Sequence, residues 1–243
     1  SKPYNKTMNN IIAYCVLILG AYFLGTIPYM MLLARIKGFD FSKEADLHLS
    51  MMRKIGFIEG VSGILVDVLK GVIPVLIGFY LGFPPAIVAA AGISAIVGQM
   101  WPVFNRFDGE KGNTTGWGIA VTINPLYHAV PVLLIGIGIV LIGFIVRTIP
   151  RFFRPGQTMR ERLKFDGPPS NSLPLAMLIT FAAMPLLSWL FDRPLHLTVT
   201  LAIMFLLIVI RRLTARIRTD IRNPETGITR ILIMRFLLDR SYY

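Results

Sequence analysis

Residues 115–146 read TGWGIAVTINPLYHAVPVLLIGIGIVLIGFIV, 32 residues without a charge, and the number of times this run crosses a bilayer decides the fold. A helix crosses the roughly 30 Å hydrocarbon core in about 20 residues, so the run is either one long tilted helix or two segments. Asn124-Pro125 is a turn signal inside it, and Pro131 follows. Counting Lys and Arg in the polar segments separates the two readings. A single crossing places 16 on one side and 8 on the other, whereas two crossings place 21 on one side and 3 on the other. The second division obeys the positive-inside rule far better. It implies a short segment over about 114–124 and then a full span. With the other apolar runs at 11–34, 60–81, 84–101, 173–190 and 195–210, the expected fold is an all-α integral membrane bundle of about seven transmembrane segments. The amino terminus is then outside, and the carboxyl terminus and every long polar loop are cytoplasmic.

Composition agrees with this class. Of 243 residues, 54% are apolar and 16% charged, and mean hydropathy is +0.64, whereas soluble domains carry about a quarter charged residues. No room remains for a separate soluble catalytic domain, so 1–210 reads as one transmembrane domain and 211–243 as a cytoplasmic amphipathic tail. The formal charge of +12 points, in a membrane chain, to anionic lipid headgroups rather than nucleic acid. The single cysteine, Cys15, lies in the first apolar run and excludes an internal disulfide or a cysteine-rich metal site. That run is longer than a signal-peptide core and lacks a small-x-small cleavage pattern, so it reads as a retained span.

Segment 147–172 mixes five arginines with Phe152 and Phe153 and is expected to hug the membrane. In the tail, Leu213, Ile217 and Ile221 fall at helical spacing on a basic background, which predicts an interfacial helix. A break at 223–227 follows, then an apolar stretch, 228–238, that needs cover from protein or lipid. No internal repeat is present, which counts against inverted-repeat transporters.

Chemistry-bearing residues concentrate at 98–115, GQMWPVFNRFDGEKGNTT. Glycines let backbone approach a ligand, Lys111 supplies positive charge, and free N–H groups at a following helix start favour an anion. These are parts of a phosphate cradle, although Gly109-Glu110-Lys111-Gly112 alone better suits an ordinary helix-initiating turn. Asp67 and Lys70, three apart inside a span, can face one another and make their burial tolerable. The three histidines, His48, His128 and His196, lack a third ligand at useful spacing and read as interfacial; no metal and no cofactor are expected.

Residues 11–149 resemble the bacterial membrane acyl-phosphate:glycerol-3-phosphate acyltransferases, seven-helix enzymes that start phospholipid synthesis. The family run H-x-F-P-x-F-x-x-F-x-G-G-K-G-V-A-T is met by Gln99, Pro102, Phe104, Phe107, Gly109, Glu110, Lys111, Gly112 and Thr115, with Gln99 in place of the histidine and Glu110 in place of the second glycine. Asp67, Lys70 and Gly71 meet its D-x-x-K-G, and Arg53 and Gly56 its Arg-x-x-Gly. The resemblance implies the bacterial cytoplasmic membrane, phosphate or lipid binding at Arg53, Gly109, Lys111, Gly112 and Thr115, a supporting Asp67–Lys70 pair, and attack of the acceptor hydroxyl on the mixed anhydride without a protein nucleophile.

Two family motifs are missing. S-G-N-x-G-A-T-N falls on residues 43–50, KEADLHLS, without a match, and the late His-x-x-Asn is absent near 213–216. Such losses remove transition-state positioning. The sequence therefore favours a non-catalytic descendant, a lipid-binding subunit of a larger membrane complex with other membrane subunits as partners; the alternative is an active acyltransferase making lysophosphatidate. Cysteines placed at Tyr4 and Arg151 are expected to be labelled from opposite sides of the membrane, and labelling from one side would remove the short crossing.

Overall fold

The computed structural model describes residues 3–41, 44, 47–153, 171–221 and 227–239. Among these it is all helical: α1 (Pro3–Thr26), α2 (Tyr29–Ile36), α3 (Leu47–Lys54), α4 (Phe57–Tyr80), α5 (Pro85–Met100), α6 (Asn113–Leu126), α7 (Val130–Phe152), α8 (Ser172–Leu190), α9 (Leu195–Thr214), α10 (Ile217–Ile221) and α11 (Ile228–Leu238). Six stretches are long and apolar enough to cross a membrane: Asn9–Ile36, Phe57–Tyr80, Pro85–Asn105, Val130–Phe152, Ser172–Leu190 and Leu195–Thr214. Large apolar side chains such as Leu134, Ile142 and Ile145 of α7 face outward, as lipid-facing surfaces require.

The seventh segment, α6, has 14 residues and so spans only about 21 Å. It sits at the centre of the bundle, where Ile119, Ala120 and Ile123 are fully buried against Val75, Ile96, Phe181, Met204 and Ile208. The expected break moves by a few residues. Pro125 lies inside the last turn of α6, and the chain reverses over Tyr127–Ala129, with His128 at φ +56°. The Asn124 carbonyl accepts the Ala129 N–H at 2.7 Å, so a proline in this final turn leaves few backbone groups unpaired. Pro131 occupies the first turn of α7, where its missing N–H costs nothing.

Helices approach through small residues, as helix pairs in membranes do. A Cβ on Gly98 would strike the Tyr22 carbonyl, one on Gly25 the Ala95 carbonyl, and one on Gly118 the Val68 carbonyl. These contacts hold α1 on α5 and α4 on α6.

Beyond Ile210 the chain does not change character at once. Helix α9 continues to Thr214, with Arg211 and Arg212 buried, and α11 packs back against α8 and α9. The guanidinium of Arg235 on α11 binds Asp220 at 2.7 Å and donates to the carbonyls of Ala215 at 2.6 Å and Arg212 at 3.3 Å. The tail's basic residues at these positions thus face inward, where the sequence suggests the basic background of an interfacial helix. Residues 154–170 of the expected membrane-hugging loop and 222–226 of the expected tail break lie outside the described residues.

Replacing Gly118 by alanine should lower stability by about 3 kcal/mol, an overpacking cost against backbone, read as thermal denaturation in detergent. Gly138→Ala, where a Cβ meets nothing within 4 Å, should leave the midpoint unchanged or slightly raised.

Candidate functional site

A loop joins α5 to α6 and folds back on the end of α5. After Pro102 it makes a single 3-10 turn, Val103–Asn105, and then places Arg106 and Phe107 in the left-handed region at φ +52° and +61°. Its return is fixed by backbone bonds from Gly109 N–H to the Met100 carbonyl at 3.2 Å and from Glu110 N–H to the Gln99 carbonyl at 3.0 Å. Position 109 must be glycine, since a Cβ would collide with the Gln99 carbonyl and the Pro102 ring. Gly112, at φ +74°, then turns the chain into α6.

This loop forms one wall of a cavity of about 180 Å3. The α1–α2 turn at Gly25–Pro28, His48 of α3, Lys70 of α4 and Ala215, Arg216 and Asp239 of the tail form the others. Gly109, Glu110, Lys111, Gly112, Asn113 and Thr114 all line it, so the start of α6 and its unpaired N–H groups open onto the same space as the lysine.

Behind the cavity lies a buried ionic cluster. Asp67 and Lys70, 1% and 3% exposed, pair at 2.7 Å, and the Lys70 ammonium also donates to the Ile27 carbonyl at 2.7 Å. His48 Nε2 meets the other Asp67 oxygen at 3.1 Å. The Thr115 hydroxyl, fully buried, donates to the Asp67 backbone carbonyl at 2.8 Å. Glu110 joins from the loop, hydrogen-bonded to the Gln99 side chain. Burial first, and then the negative charge of Asp67, push its carboxyl up to about 7. Ligand atoms of His48, Asp67 and Glu110 lie within 4.8 Å of one another. Both Asp67 oxygens are already engaged, one of them by an ammonium, so these residues fit an internal ion network better than a divalent cation.

Lys111 is engaged too. Its ammonium donates to the Asp239 backbone carbonyl at 2.8 Å and pairs with the Asp239 carboxylate at 3.1 Å, and the Asn113 amide donates to the second carboxylate oxygen at 3.3 Å. Of the residues singled out from sequence, Gly109, Lys111, Gly112 and Lys70 line the cavity, and Asp67 and Thr115 stand directly behind it. Arg53 does not join them: it is exposed on α3 and is not part of the cavity lining.

Sequence reasoning missed four contributors. His48 lies where the family's glycine-rich motif is absent. Arg211, 4% exposed, donates to three successive loop residues: the Asp108 carboxylate at 2.9 Å, the Gly109 carbonyl at 2.6 Å and the Glu110 carbonyl at 3.3 Å. Arg216 takes the other Asp108 oxygen at 2.9 Å. Asp239 reaches the lysine across 128 residues of chain. The sequence signal for the arginines was a basic background that read as an interfacial helix.

Comparison with known proteins follows the same outline. A family model described as glycerol-3-phosphate acyltransferase matches residues 15–152. Curated glycerol-3-phosphate acyltransferases from Geotalea daltonii and Rubrobacter xylanophilus are 41% identical over 114 residues and 36% over 140, covering 46% and 56% of this chain. The match spans 59% and 66% of those relatives, so about three-fifths of their length is represented. Crystal structures of PlsY, an integral membrane glycerol 3-phosphate acyltransferase, in its lysophosphatidic acid and glycerol 3-phosphate forms, superpose with TM-scores of 0.64 and 0.65 at 23% and 22% identity. They cover 93% and 90% of this chain and 98% of each PlsY chain, so the likeness in fold extends beyond the residues that the family model matches.

The loop clamp makes a measurable claim. Arg211→Met should destabilise the protein by about 2–3 kcal/mol, because it leaves buried carbonyls without their charged donor, and should raise amide exchange across 105–112. Arg216→Ala, removing a half-exposed ion pair, should cost no more than about 1 kcal/mol.

Proposed function

The chain belongs to the glycerol-3-phosphate acyltransferase family, and from that premise we propose that it is an active membrane acyltransferase which transfers an acyl group from an acyl phosphate to glycerol 3-phosphate. The observation that carries this reading is the meeting, in one cavity, of Lys111, the open N-terminus of α6 and the Glu110 carboxyl. Lys111 and the N–H groups of Gly112, Asn113 and Thr114 suit a phosphate dianion, with the helix dipole adding to the lysine charge. Gly109 lets the loop fold back against the end of α5, and Thr115 ties the α6 start to Asp67.

In the proposed reaction the acceptor hydroxyl oxygen forms a bond to the acyl carbonyl carbon. The bond from that carbon to the phosphate oxygen breaks, and inorganic phosphate departs with the electron pair. Glu110 takes the hydroxyl proton. A carboxyl poised near 7 is well matched to that task, and the Asp67–Lys70–His48 network fixes the charge around it. Arg53, exposed on α3, belongs instead to the basic face that meets anionic headgroups on the cytoplasmic side.

The non-catalytic reading rested on the missing glycine motif at 43–50, on the absent late His-x-x-Asn near 213–216 and on the apolar second half of the tail; the first of these is where the structure adds something. Part of that segment is described, and Leu47–Ser50 open the helix α3, which brings a side chain, His48, to the site where the family motif would bring backbone. The missing motif is thus replaced by different chemistry rather than by empty space. None of the relatives named above carries a subunit or scaffold description.

The full chain, purified in mild detergent, should transfer acyl groups from acyl phosphate to glycerol 3-phosphate, with Lys111→Ala reducing kcat/KM by at least about 100-fold. A base must be ionised, so the rate should rise as pH increases through about 7; Glu110→Gln should flatten that limb and lower kcat. Absence of turnover in the unaltered chain would return the protein to the non-catalytic reading.

A further inference from the structure

We propose that the tail is an autoinhibitory latch, in which the Asp239 carboxylate occupies the seat that Lys111 and Asn113 offer to a phosphate and a phosphate-bearing ligand must displace it. The chemical class of that ligand rests on the acyltransferase reading above; the latch itself rests on contacts within the chain.

The carboxylate is held as a bound anion would be. Lys111 reaches both its carboxylate and its main-chain carbonyl, at 3.1 and 2.8 Å, Asn113 takes the second oxygen at 3.3 Å, and the guanidinium of Arg212 stands 3.9 Å away. Two of these donors flank Gly112, so the carboxylate lies over the start of α6, where a phosphate would also gain from the helix dipole.

Delivery is built into the tail. Arg235, 2% exposed, fastens α11 to Asp220 and to the carbonyls at the end of α9. One turn later Asp239 ends the helix in the left-handed region at φ +55°, a conformation that aspartate tolerates better than most residues. The turn carries the carboxylate from the helix end into the cavity lining.

A tethered ligand competes at the high effective concentration set by its short anchor, so the open site is populated only in part and apparent phosphate affinity falls by that fraction. A carboxylate offers one negative charge and two oxygens, whereas a phosphate monoester offers nearly two charges and three oxygens. The ligand can therefore win the exchange once its concentration is sufficient. The arrangement makes occupancy by acceptor a condition for an open site.

Equilibrium binding of inorganic phosphate and of glycerol 3-phosphate tests this on the full chain, on Asp239→Asn, and on a chain ending at Leu238. Both altered forms should bind either ligand about 10-fold more tightly than the full chain, and Lys111→Ala should erase the difference. Unchanged affinity in both forms, or no phosphate binding by any form, overturns the latch. Should the altered forms fail to fold, amide exchange of the unaltered chain decides. Saturating phosphate should raise exchange at 235–239, and unchanged exchange on a phosphate-loaded chain overturns the proposal. An acyl-transfer assay on the same samples keeps the two ideas apart. Tighter phosphate binding without turnover retains the latch and removes the acyltransferase reading, whereas turnover with unchanged affinity does the reverse.

Discussion

An aspartate inside a membrane helix has to be neutralised where it stands, because no water is at hand to do so. Asp67 meets this constraint by drawing four elements together. Lys70 from its own helix neutralises it and at the same time caps the Ile27 carbonyl at the break between α1 and α2. His48 brings α3, and Thr115 brings the first turn of α6. Removing either member of the Asp67–Lys70 pair would leave an uncompensated charge, and loss of Lys70 would also leave the Ile27 carbonyl without its donor. The ionic pair therefore positions the walls of the cavity as well as satisfying itself.

The glycine loop depends on a second, independent tether. Its backbone returns to α5 through two hydrogen bonds, and its outer edge is held by Arg211 from α9. Gly109 gives the loop extra conformational freedom when unfolded, and Arg106 and Phe107 hold a left-handed conformation that costs energy when folded, so the loop needs such fastening to keep Lys111 in one place. Arginine suits this work because its planar fork reaches several acceptors at once. The helix that carries Arg211 also begins the tail, so loop, last span and latch share one mechanical unit.

Much of this was legible in the sequence, and the limits have physical causes. The number and placement of spans followed from hydropathy and from the distribution of Lys and Arg, because a bilayer imposes length and charge rules locally. Lys111, Gly109 and Gly112 stood out because a phosphate cradle needs consecutive backbone, and the Asp67–Lys70 pair because three residues is one helical turn. His48, Arg211 and Asp239 did not, since their partners lie 19, 103 and 128 residues away and no periodicity reports such contacts. Arg53 was singled out by motif spacing alone, and spacing does not say which face of α3 it occupies; it is exposed there and outside the cavity lining.

The departures from the family pattern are coupled through space. A glutamate introduced alone at position 110, in a loop beside Asp67, would be buried next to a like charge and raised in free energy by both burial and repulsion. Here Gln99, standing in place of the family histidine, donates a hydrogen bond to it, and His48, present only because the glycine motif is absent, lies close enough with Lys70 to offset part of the repulsion. Each change is costly singly and tolerable with the others. Reading them one at a time as losses counts three removed catalytic parts. Read together they describe one rebuilt polar wall, in which Glu110, Gln99, His48 and the Asp67–Lys70 pair face one another beside Lys111 and the start of α6.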